Sequence, residues 1–380
     1  MKLNAETFAN LLWVATRIRH GGSQMPILNA VRLSSIDGKL EILATDLDTV
    51  IDCRMPAKLE PREKLGIVVD GKSLYGVIAA LKANHADVEL EVREGNATER
   101  KLLVTAGGRK IMLRSDIATE DWPTEPDYGK VRGSFTLGPG HLAPLAWVAK
   151  AVSKDETRYN MSGLYLGERY AVATDTHRLH RADLGVEIPF SGLVSQPAFS
   201  TFFAAAGIVK PAEIVVNGFG FQDEKKSGVF AFRFDLATVE MQVSIRTRAI
   251  EGIFPPYESV IPKPESTKGY GELTQLPVEV LRSAATLATK MGAKAAKFTF
   301  DDDGELRLLS NLGDDGEWAE IIAVSTRKAL EVGLNLTYVL DVLNARAGML
   351  TISATDDTSP LVFESDEALP RLGVLMPMRV

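Results

Sequence analysis

Histidine and carboxylate side chains carry most of the chemistry that this sequence could perform, and their spacing does not assemble an active site. His177 and His180 could ligate a metal ion as a pair, but they lie in a strand-like segment, where residues three apart point to opposite faces. The run of three aspartates and a glycine at 301–304 lacks the later carboxylates of a calcium-binding loop. The glycines at 218–220 have no following lysine, which a phosphate-binding loop needs. The sequence therefore offers no persuasive active site, and we expect no cofactor and no metal.

Composition and charge narrow the class of protein. The 380 residues are 45% hydrophobic and 24% charged, which is typical of a globular chain with two or three domains. No apolar run approaches the ~18 residues of a transmembrane helix, and polar Asn4 and acidic Glu6 argue against an export signal. Cys53 is the one cysteine in the sequence, which excludes an internal disulfide and favours the reducing cytoplasm. The net charge of −7 argues against bulk electrostatic attraction as the means of holding nucleic acid.

A repeat of about 130 residues runs through the chain. Three short matches share this offset: Ala-Thr-Asp at 44–46 and 173–175, a tryptophan at 13 and 147, and a proline at 123 and 255. A third copy has Ser310-Asn311 in place of the Thr-Asp step. Proline-rich and glycine-rich stretches mark the boundaries and predict semi-rigid connectors. We therefore predict three domains of one α+β unit, at 1–130, 131–262 and 263–380.

Each copy is predicted to combine helices with antiparallel strands. Asn4 can cap a first helix, in which Phe8, Leu11, Leu12 and Ala15 follow the helical period. The other predicted elements are a hairpin that turns at residues 37–38, helices over 72–83, 277–290 and 337–347, and strands over 88–92, 102–113, 297–300 and 305–309.

In order and spacing, a set of short motifs resembles the bacterial DNA polymerase III beta subunit, the sliding-clamp family. The motifs are Met25–Asn29, Ala44–Leu47, Asp155–Arg158, Ala173–Leu179, Glu251–Pro255 with Tyr257, Tyr338–Leu343, Ser359–Leu361 and Met376–Arg379. The resemblance covers essentially the whole chain. It implies a head-to-tail homodimer of six domains, with helices inside and sheets outside, that encircles duplex DNA without reading its sequence. It also implies partners: a replicative polymerase subunit, a clamp loader and other proteins with a clamp-binding motif, with no membrane involved.

The resemblance also implies three sets of site residues. A pocket for a partner peptide would comprise Met161, Thr174, Thr176, His177, Arg178, Leu179, Pro255, Val260, Asn335, Tyr338, Val374, Met376, Pro377 and Met378, with Arg379 at its rim. Basic residues on or just beyond the predicted inner helices would face DNA: Arg17, Arg19, Lys72, Lys82, Lys150, Lys154, Lys210, Arg282, Lys290 and Arg346. The dimer interface would join a basic strand to an acidic one through Arg109, Lys110, Ile111, Leu113, Leu287, Asp314, Asp315, Glu317 and Glu320. The alternative for the DNA-facing set is that these are ordinary solvated helix faces. The alternative for the interface set is that these are two unrelated solvated charge runs.

Departures from the family pattern leave a second function open. Thr176 stands where the family usually has glycine, Ser259 where arginine is common, and Ala293 where an aromatic residue is frequent. A divergent paralogue that keeps the ring as an interaction scaffold would fit these departures. An enzyme on a triplicated fold is the third alternative, and it would require turnover that depends on a titratable cluster.

Overall fold

The computed structural model describes residues 1–18, 25–58, 65–94, 100–155, 157–220, 228–263, 267–301, 303–365 and 367–379, without the side chain of Asp315. In these residues the fold is α+β, as the sequence predicts. The α-helices are α1 (Ala5–Ala15), α2 (Gly71–Lys82), α3 (Leu142–Ala149), α4 (Gln196–Val209), α5 (Val278–Lys290) and α6 (Leu336–Leu343). None of the described helices is long and apolar enough to cross a membrane.

The strands in the first part of the chain are β1 (Lys2–Asn4), β2 (Ala30–Ile36), β3 (Lys39–Thr45), β4 (Thr49–Pro56), β5 (Gly66–Asp70), β6 (Asp87–Glu94), β7 (Arg100–Ala106), β8 (Arg109–Ser115), β9 (Lys130–Leu137), β10 (Gly163–Thr174) and β11 (Arg178–Ser195). The later strands are β12 (Ile214–Gly220), β13 (Ala231–Ala237), β14 (Gln242–Ile250), β15 (Gly271–Pro277), β16 (Ala295–Phe300), β17 (Glu305–Asn311), β18 (Glu317–Ala323), β19 (Ser325–Thr326), β20 (Leu330–Asn335), β21 (Met349–Ala354), β22 (Leu361–Ser365) and β23 (Arg371–Leu375).

The contacts divide the chain into two compact units, one of residues 1–139 and 194–249 and one of residues 140–193 and 250–380. The first unit contains an antiparallel sheet in the order β1-β6-β7-β8 and a run of paired strands in the order β5-β2-β3-β4-β14-β13-β12-β9. In the second unit, β15, β21, β22, β23 and β11 are paired in that order, and β18-β17-β16-β20 form a separate sheet. The three domains predicted from the repeat stay a prediction.

Local signals explain why the helices begin where they do. The Asn4 side chain accepts a hydrogen bond from the Thr7 amide at 2.9 Å, and Phe8, Leu11 and Leu12 are fully buried on the inner face of α1. Helix α1 packs against α2 within the first unit, and α5 packs against α6 within the second. The predicted first helix and α5 are confirmed, as are the hairpin of β2 and β3 and the pair of β16 and β17.

Two predicted elements differ from the structure. The strand predicted over 102–113 is two strands, because Gly107 and Gly108 take positive φ angles of 52° and 81° and turn the chain between β7 and β8. The last helix is predicted to run to residue 347 but ends at Leu343, and Ala345 has a left-handed φ of 52°, which a helix cannot continue through. The first correction divides one strand into two, the second shortens a helix, and neither changes the type of element.

The Thr-Asp repeat is a repeated loop. Thr45 donates its hydroxyl hydrogen to the carbonyl of Thr49, and Asp46 accepts the Thr49 amide at 2.6 Å. In the second copy the equivalent bonds run from the Thr174 hydroxyl to the Arg178 carbonyl at 2.7 Å, and from the Arg178 amide to Asp175 at 3.1 Å. The matching geometry supports the sequence repeat at these two positions.

Candidate functional site

The loop between β10 and β11 is the first part of the candidate site, and it lies in the second unit. Besides the bonds that it shares with the first copy, Asp175 accepts the His177 amide at 3.1 Å, and Thr174 accepts the Thr176 amide at 3.2 Å. Thr176 is held at a φ of 78°, which is unusual for a β-branched residue. The loop therefore leaves the side chains of Thr176 and His177 exposed.

The C-terminal segment lies beside this loop, and hydrogen bonds from the segment's own backbone amides hold it in place. The Met376 amide donates to the carbonyl of His177 at 2.9 Å, and the Met378 amide donates to the carbonyl of Gly333 in β20 at 2.9 Å. The Met376 side chain is 40% exposed and that of Met378 is 42% exposed. Main-chain bonds thus fix the segment while its methionine side chains stay open to solvent.

A buried apolar layer accompanies the loop and the terminal segment. Leu179 in β11 pairs with Val374 in β23, and both side chains are almost completely buried. They belong to one apolar cluster with Phe254, and the partly buried Tyr257 packs against it. Met161 and Thr174 are buried as well. The predicted pocket residues Leu179, Val374, Met161 and Thr174 are therefore buried beneath the surface and support the exposed residues of the loop and the terminal segment.

Helix α6 supplies an aromatic side chain to the site. Asn335 caps this helix by accepting the amides of Thr337 at 2.9 Å and Tyr338 at 3.3 Å. The Tyr338 ring is stacked with the His177 ring at a centroid distance of 6.4 Å, and the Arg178 guanidinium lies 4.4 Å from its centroid. By capping α6, Asn335 fixes where the helix begins and thereby the position of Tyr338 in its first turn.

The buried side chain of Arg178 links three parts of the site. Its Nε donates to Asp175 at 3.1 Å, its Nη1 to Asp341 at 2.5 Å, and its Nη2 to the Lys150 carbonyl at 2.6 Å. The side chain is 7% exposed. Burial pushes the pKa of Asp341 upward, but the bonds from Arg178 and Lys150 outweigh burial and lower that pKa below its ordinary value. All three nitrogens of Arg178 are engaged, so its role in the free chain is to brace the loop against α3 and α6.

The remaining predicted pocket residues are spread along nearby segments of the same unit. Val260 is 47% exposed in the short 3-10 helix over 257–260, Pro255 accepts the Tyr257 amide at 2.7 Å, and Arg379 is exposed. Of the positions that depart from the family pattern, Ser259 donates to the carbonyl of Pro256 at 2.8 Å.

Taken together, these groups combine exposed apolar side chains with a few polar ones beside them. Exposed methionines adapt their shape to different apolar partners, and Tyr338 adds a flat ring with a polar tip. The exposed His177 and Arg379 add two polar side chains. Adaptable apolar surface with sparse polar groups is typical of a peptide-binding site.

The prediction that Arg346 faces DNA is wrong. Arg346 is 2% exposed, and its guanidinium lies 4.5 Å from the ring centroid of Trp147, with Nη1 donating to the Phe363 carbonyl. Burial lowers the pKa of Arg346 to about 9, and the nearby Arg371 acts in the same direction. A side chain inside the second unit cannot touch a phosphate, so Arg346 belongs to the core.

The other basic residues keep the DNA-facing assignment as a prediction. The exposed ones are Arg17, Lys72, Lys82, Lys154, Lys210 and Lys290. Lys150 pairs with Asp341 at 3.0 Å, and Arg282 donates to the carbonyls of Leu343 and Arg346 at 2.6 Å each. Arg19 lies outside the described residues.

The predicted interface residues lie on two edge strands. Among the described strands β8 is an outer strand of its sheet, with Arg109 and Lys110 exposed and Ile111 and Leu113 half-buried. Strand β18 is likewise an outer strand, and it carries Glu317 and Glu320. Leu287 is 49% exposed on α5, and Asp314 is exposed before β18, whereas the side chain of Asp315 lies outside the described part. The edge position predicted for the basic strand is confirmed.

Sequence reasoning missed Asp341 and the buried partners of Trp147. Asp341 is flanked by Leu340 and Val342, and a carboxylate inside an apolar helical run signals a buried ion pair. The sequence suggests His180 only as a candidate metal ligand, whereas its ring stacks on Trp147 with centroids 4.1 Å apart. The sequence holds no signal for that stacking, because the two residues lie in different elements.

Two family models match the chain. One is described as the DNA polymerase III beta subunit, N-terminal domain, and matches residues 1–126. The other is described as the C-terminal domain of the same subunit and matches residues 258–379. Together they cover more than half of the chain.

Relatives and solved structures agree with these matches. The beta sliding clamp of Pseudomonas aeruginosa is 26% identical over 366 residues, which are 94% of this chain and 93% of the relative. That of Chlamydia muridarum is 25% identical over 385 residues, which are 100% of this chain and 98% of the relative. Among crystal structures, the DNA polymerase III beta subunit of Thermotoga maritima has a TM-score of 0.81 at 21% identity, and the beta sliding clamp of C. crescentus has 0.84 at 22%. Both structural matches cover 100% of this chain, with 99% and 98% of the respective neighbours covered.

Proposed function

The chain belongs to the DNA polymerase III beta subunit family, and we therefore propose that it is a sliding clamp that encircles duplex DNA and tethers a replicative polymerase. A tethered polymerase rebinds its template before it diffuses away, because the tether raises its effective concentration. The clamp itself is non-catalytic and acts in the cytoplasm. A separate loader opens it.

The proposed ring is a homodimer closed head to tail. Two edge strands support it: β8 is rich in basic residues, and β18 carries the acidic Glu317 and Glu320. Unlike ends that join through complementary charge form a closed ring when the rotation closes. The ring contacts phosphates through exposed basic residues and reads no bases, so that it can slide.

Partner proteins dock at the site of the second unit. The observation that carries this part of the proposal is the C-terminal segment, which is fixed by the carbonyls of His177 and Gly333 and leaves Met376 and Met378 exposed. A partner would lay an extended segment beside it and bury two apolar anchors, which would supply most of the binding energy. Polymerase subunits, the clamp loader and other DNA-processing proteins with such a segment would compete for this site.

The test of the ring is retention on DNA. The protein is loaded onto a nicked circle by its loader, the free protein is removed, and the circle is then cut once with a restriction enzyme. We expect the clamp to stay on the circle and to leave the linear product by sliding off its ends. Equal retention on both forms would contradict topological binding and indicate a protein held by direct contacts.

A divergent paralogue that uses the ring as a scaffold for other partners is the second candidate. It is favoured by Thr176, Ser259 and Ala293, which depart from the family pattern. Primer extension by the replicative polymerase of the same organism separates the two functions. A processivity clamp lengthens the products made in one binding event, whereas a scaffold paralogue leaves them unchanged.

A further inference from the structure

The carboxylate of Asp341 is shared by two cations. Its Oδ2 accepts from Arg178 Nη1 at 2.5 Å, and its Oδ1 accepts from Lys150 Nζ at 3.0 Å. The Asp341 side chain is 21% exposed, whereas that of Lys150 is 34% exposed. Asp341 is thus the link between the end of α3 and the loop that precedes β11.

The charges of this group balance. Arg178 and Lys150 carry two positive charges, and Asp175 and Asp341 carry two negative ones. Because the Arg178 side chain is 7% exposed, a net charge left on it would be poorly solvated. The loss of one carboxylate is therefore felt at Arg178 far more than at a surface arginine.

Asp341 also acts on the aromatic side of the site. Tyr338 and Asp341 lie three residues apart on α6, so their side chains share a face of the helix. The guanidinium that Asp341 holds lies 4.4 Å from the Tyr338 ring centroid, and His177, the residue before Arg178, is stacked with the same ring. One carboxylate consequently fixes the position of the arginine, the ring and the loop relative to one another.

We propose that Asp341 is a positioning residue for peptide binding, which keeps Tyr338 and the loop at 175–178 in the geometry that receives a partner segment. The proposal rests on the proposed function, because it deepens the role of the same site. Asp341 acts through Arg178 and does not have to touch the peptide. A site that is already ordered binds more tightly because less ordering is left for the peptide to impose.

The experiment compares a charge deletion with its compensation. Asp341→Asn keeps the shape of the side chain and leaves the group with one excess positive charge, and we expect it to weaken binding of a short labelled peptide from a replicative polymerase subunit about tenfold. Asp341→Asn with Lys150→Met restores the balance between Arg178 and Asp175, and we expect it to recover most of the lost affinity. A purely structural role would lower the melting temperature without this charge-dependent recovery. Fluorescence anisotropy measures the affinity, and thermal unfolding measures the stability of each variant.

Asp183→Asn is the matched control, because Asp183 pairs with Arg169 at 2.9 Å in the same unit. We expect it to leave peptide affinity unchanged. Asp341→Glu is the second variant, which keeps the charge but displaces it, and we expect an intermediate loss. Unchanged affinity in Asp341→Asn, or no recovery in the double variant, would contradict the positioning role. A wild-type chain that binds no peptide would instead contradict the proposed docking site.

Discussion

At the scale of single residues, the burial of His180 determines its protonation. The ring is fully buried and stacked on Trp147, and Nδ1 donates to the Trp147 carbonyl at 2.9 Å. Burial lowers the pKa of His180 to about 3, although the bond to that carbonyl acts in the opposite direction. His180 is therefore neutral in the folded chain at neutral pH.

We expect His180 to make the fold less stable in mild acid. The unfolded chain binds a proton at His180 below about pH 6.5 and the folded chain does not, so that stability falls as the pH is lowered. Between pH 6.5 and pH 5 the expected loss from this residue is about 2 kcal/mol. His180→Asn keeps a donor for the Trp147 carbonyl and should remove this part of the pH dependence. Urea unfolding of both proteins at the two pH values measures the difference; parallel losses in both would contradict the prediction.

Backbone strain at Thr176 gives a second prediction at this scale. Thr176 has a φ of 78° and Leu47, at the same point of the first copy, has a φ of 80°. Glycine adopts such angles without steric cost, so we expect Thr176→Gly to stabilise the fold by about 1 kcal/mol, despite the loss of an exposed hydrogen bond from Arg158. Leu47→Gly is the matched variant, with a smaller gain because it also removes a larger apolar side chain, which is 43% exposed. Chemical denaturation measures both changes, and a lower unfolding midpoint for Thr176→Gly would be the opposite result.

At the scale of elements, the C-terminal segment has a separable role. Strand β23 ends at Leu375, before the two main-chain bonds of Met376 and Met378. We expect a chain truncated after Leu375 to fold but to lose binding of a partner peptide, because both exposed methionines are removed. A chain truncated after Met378 is the control and should retain most of the affinity. Calorimetry measures the binding, and unchanged affinity after the longer truncation would remove this segment from the site.

The same scale shows which parts of the structure the sequence could predict. The beginning of α1 follows from Asn4 and from the helical spacing after it, both of which are local. The bond between Arg178 and Asp341 joins residues 163 positions apart, and no local pattern specifies it. The burial of Arg346 escapes prediction for the same reason: a basic residue beyond an amphipathic helix is expected to be exposed, and no local pattern shows that it packs against the ring of Trp147. Local sequence patterns thus predict helices and strands, whereas the contacts that hold the site in place join residues that are far apart in the sequence.

At the scale of the whole molecule, the proposed ring depends on the edge strands. Ile321 in β18 is 61% exposed, and an apolar side chain on an outer strand is suited to burial against a second chain. We expect Ile321→Asp to convert the dimer into monomers, because the interface would bury a carboxylate without a partner. Val239→Asp is the control, since Val239 is 97% exposed in a turn. Light scattering measures the mass, and a variant that keeps twice the mass of the chain would exclude β18 from the interface.

Topological retention also predicts an unusual response to salt. A protein held by phosphate contacts gains affinity from the counterions that it releases from DNA. This gain shrinks as the salt concentration rises, so its affinity falls steeply. We expect the loaded clamp to remain on closed circles at salt concentrations that abolish direct binding of the unloaded protein to the same circles. The measurement is gel filtration of loaded circles over a salt series. Loss of the loaded clamp from closed circles at the salt concentration that abolishes direct binding would contradict encirclement.

The bonds at Met376 and Met378 separate what must be kept from what can vary. Both bonds are made by backbone amides, which every residue other than proline can supply, while the side chains at these positions are exposed. Substitutions there can change which partners bind without changing the path of the chain. The terminal segment is therefore a place where partner preference can evolve at small cost to the fold, and related chains can diverge in the proteins that they recruit while keeping one architecture.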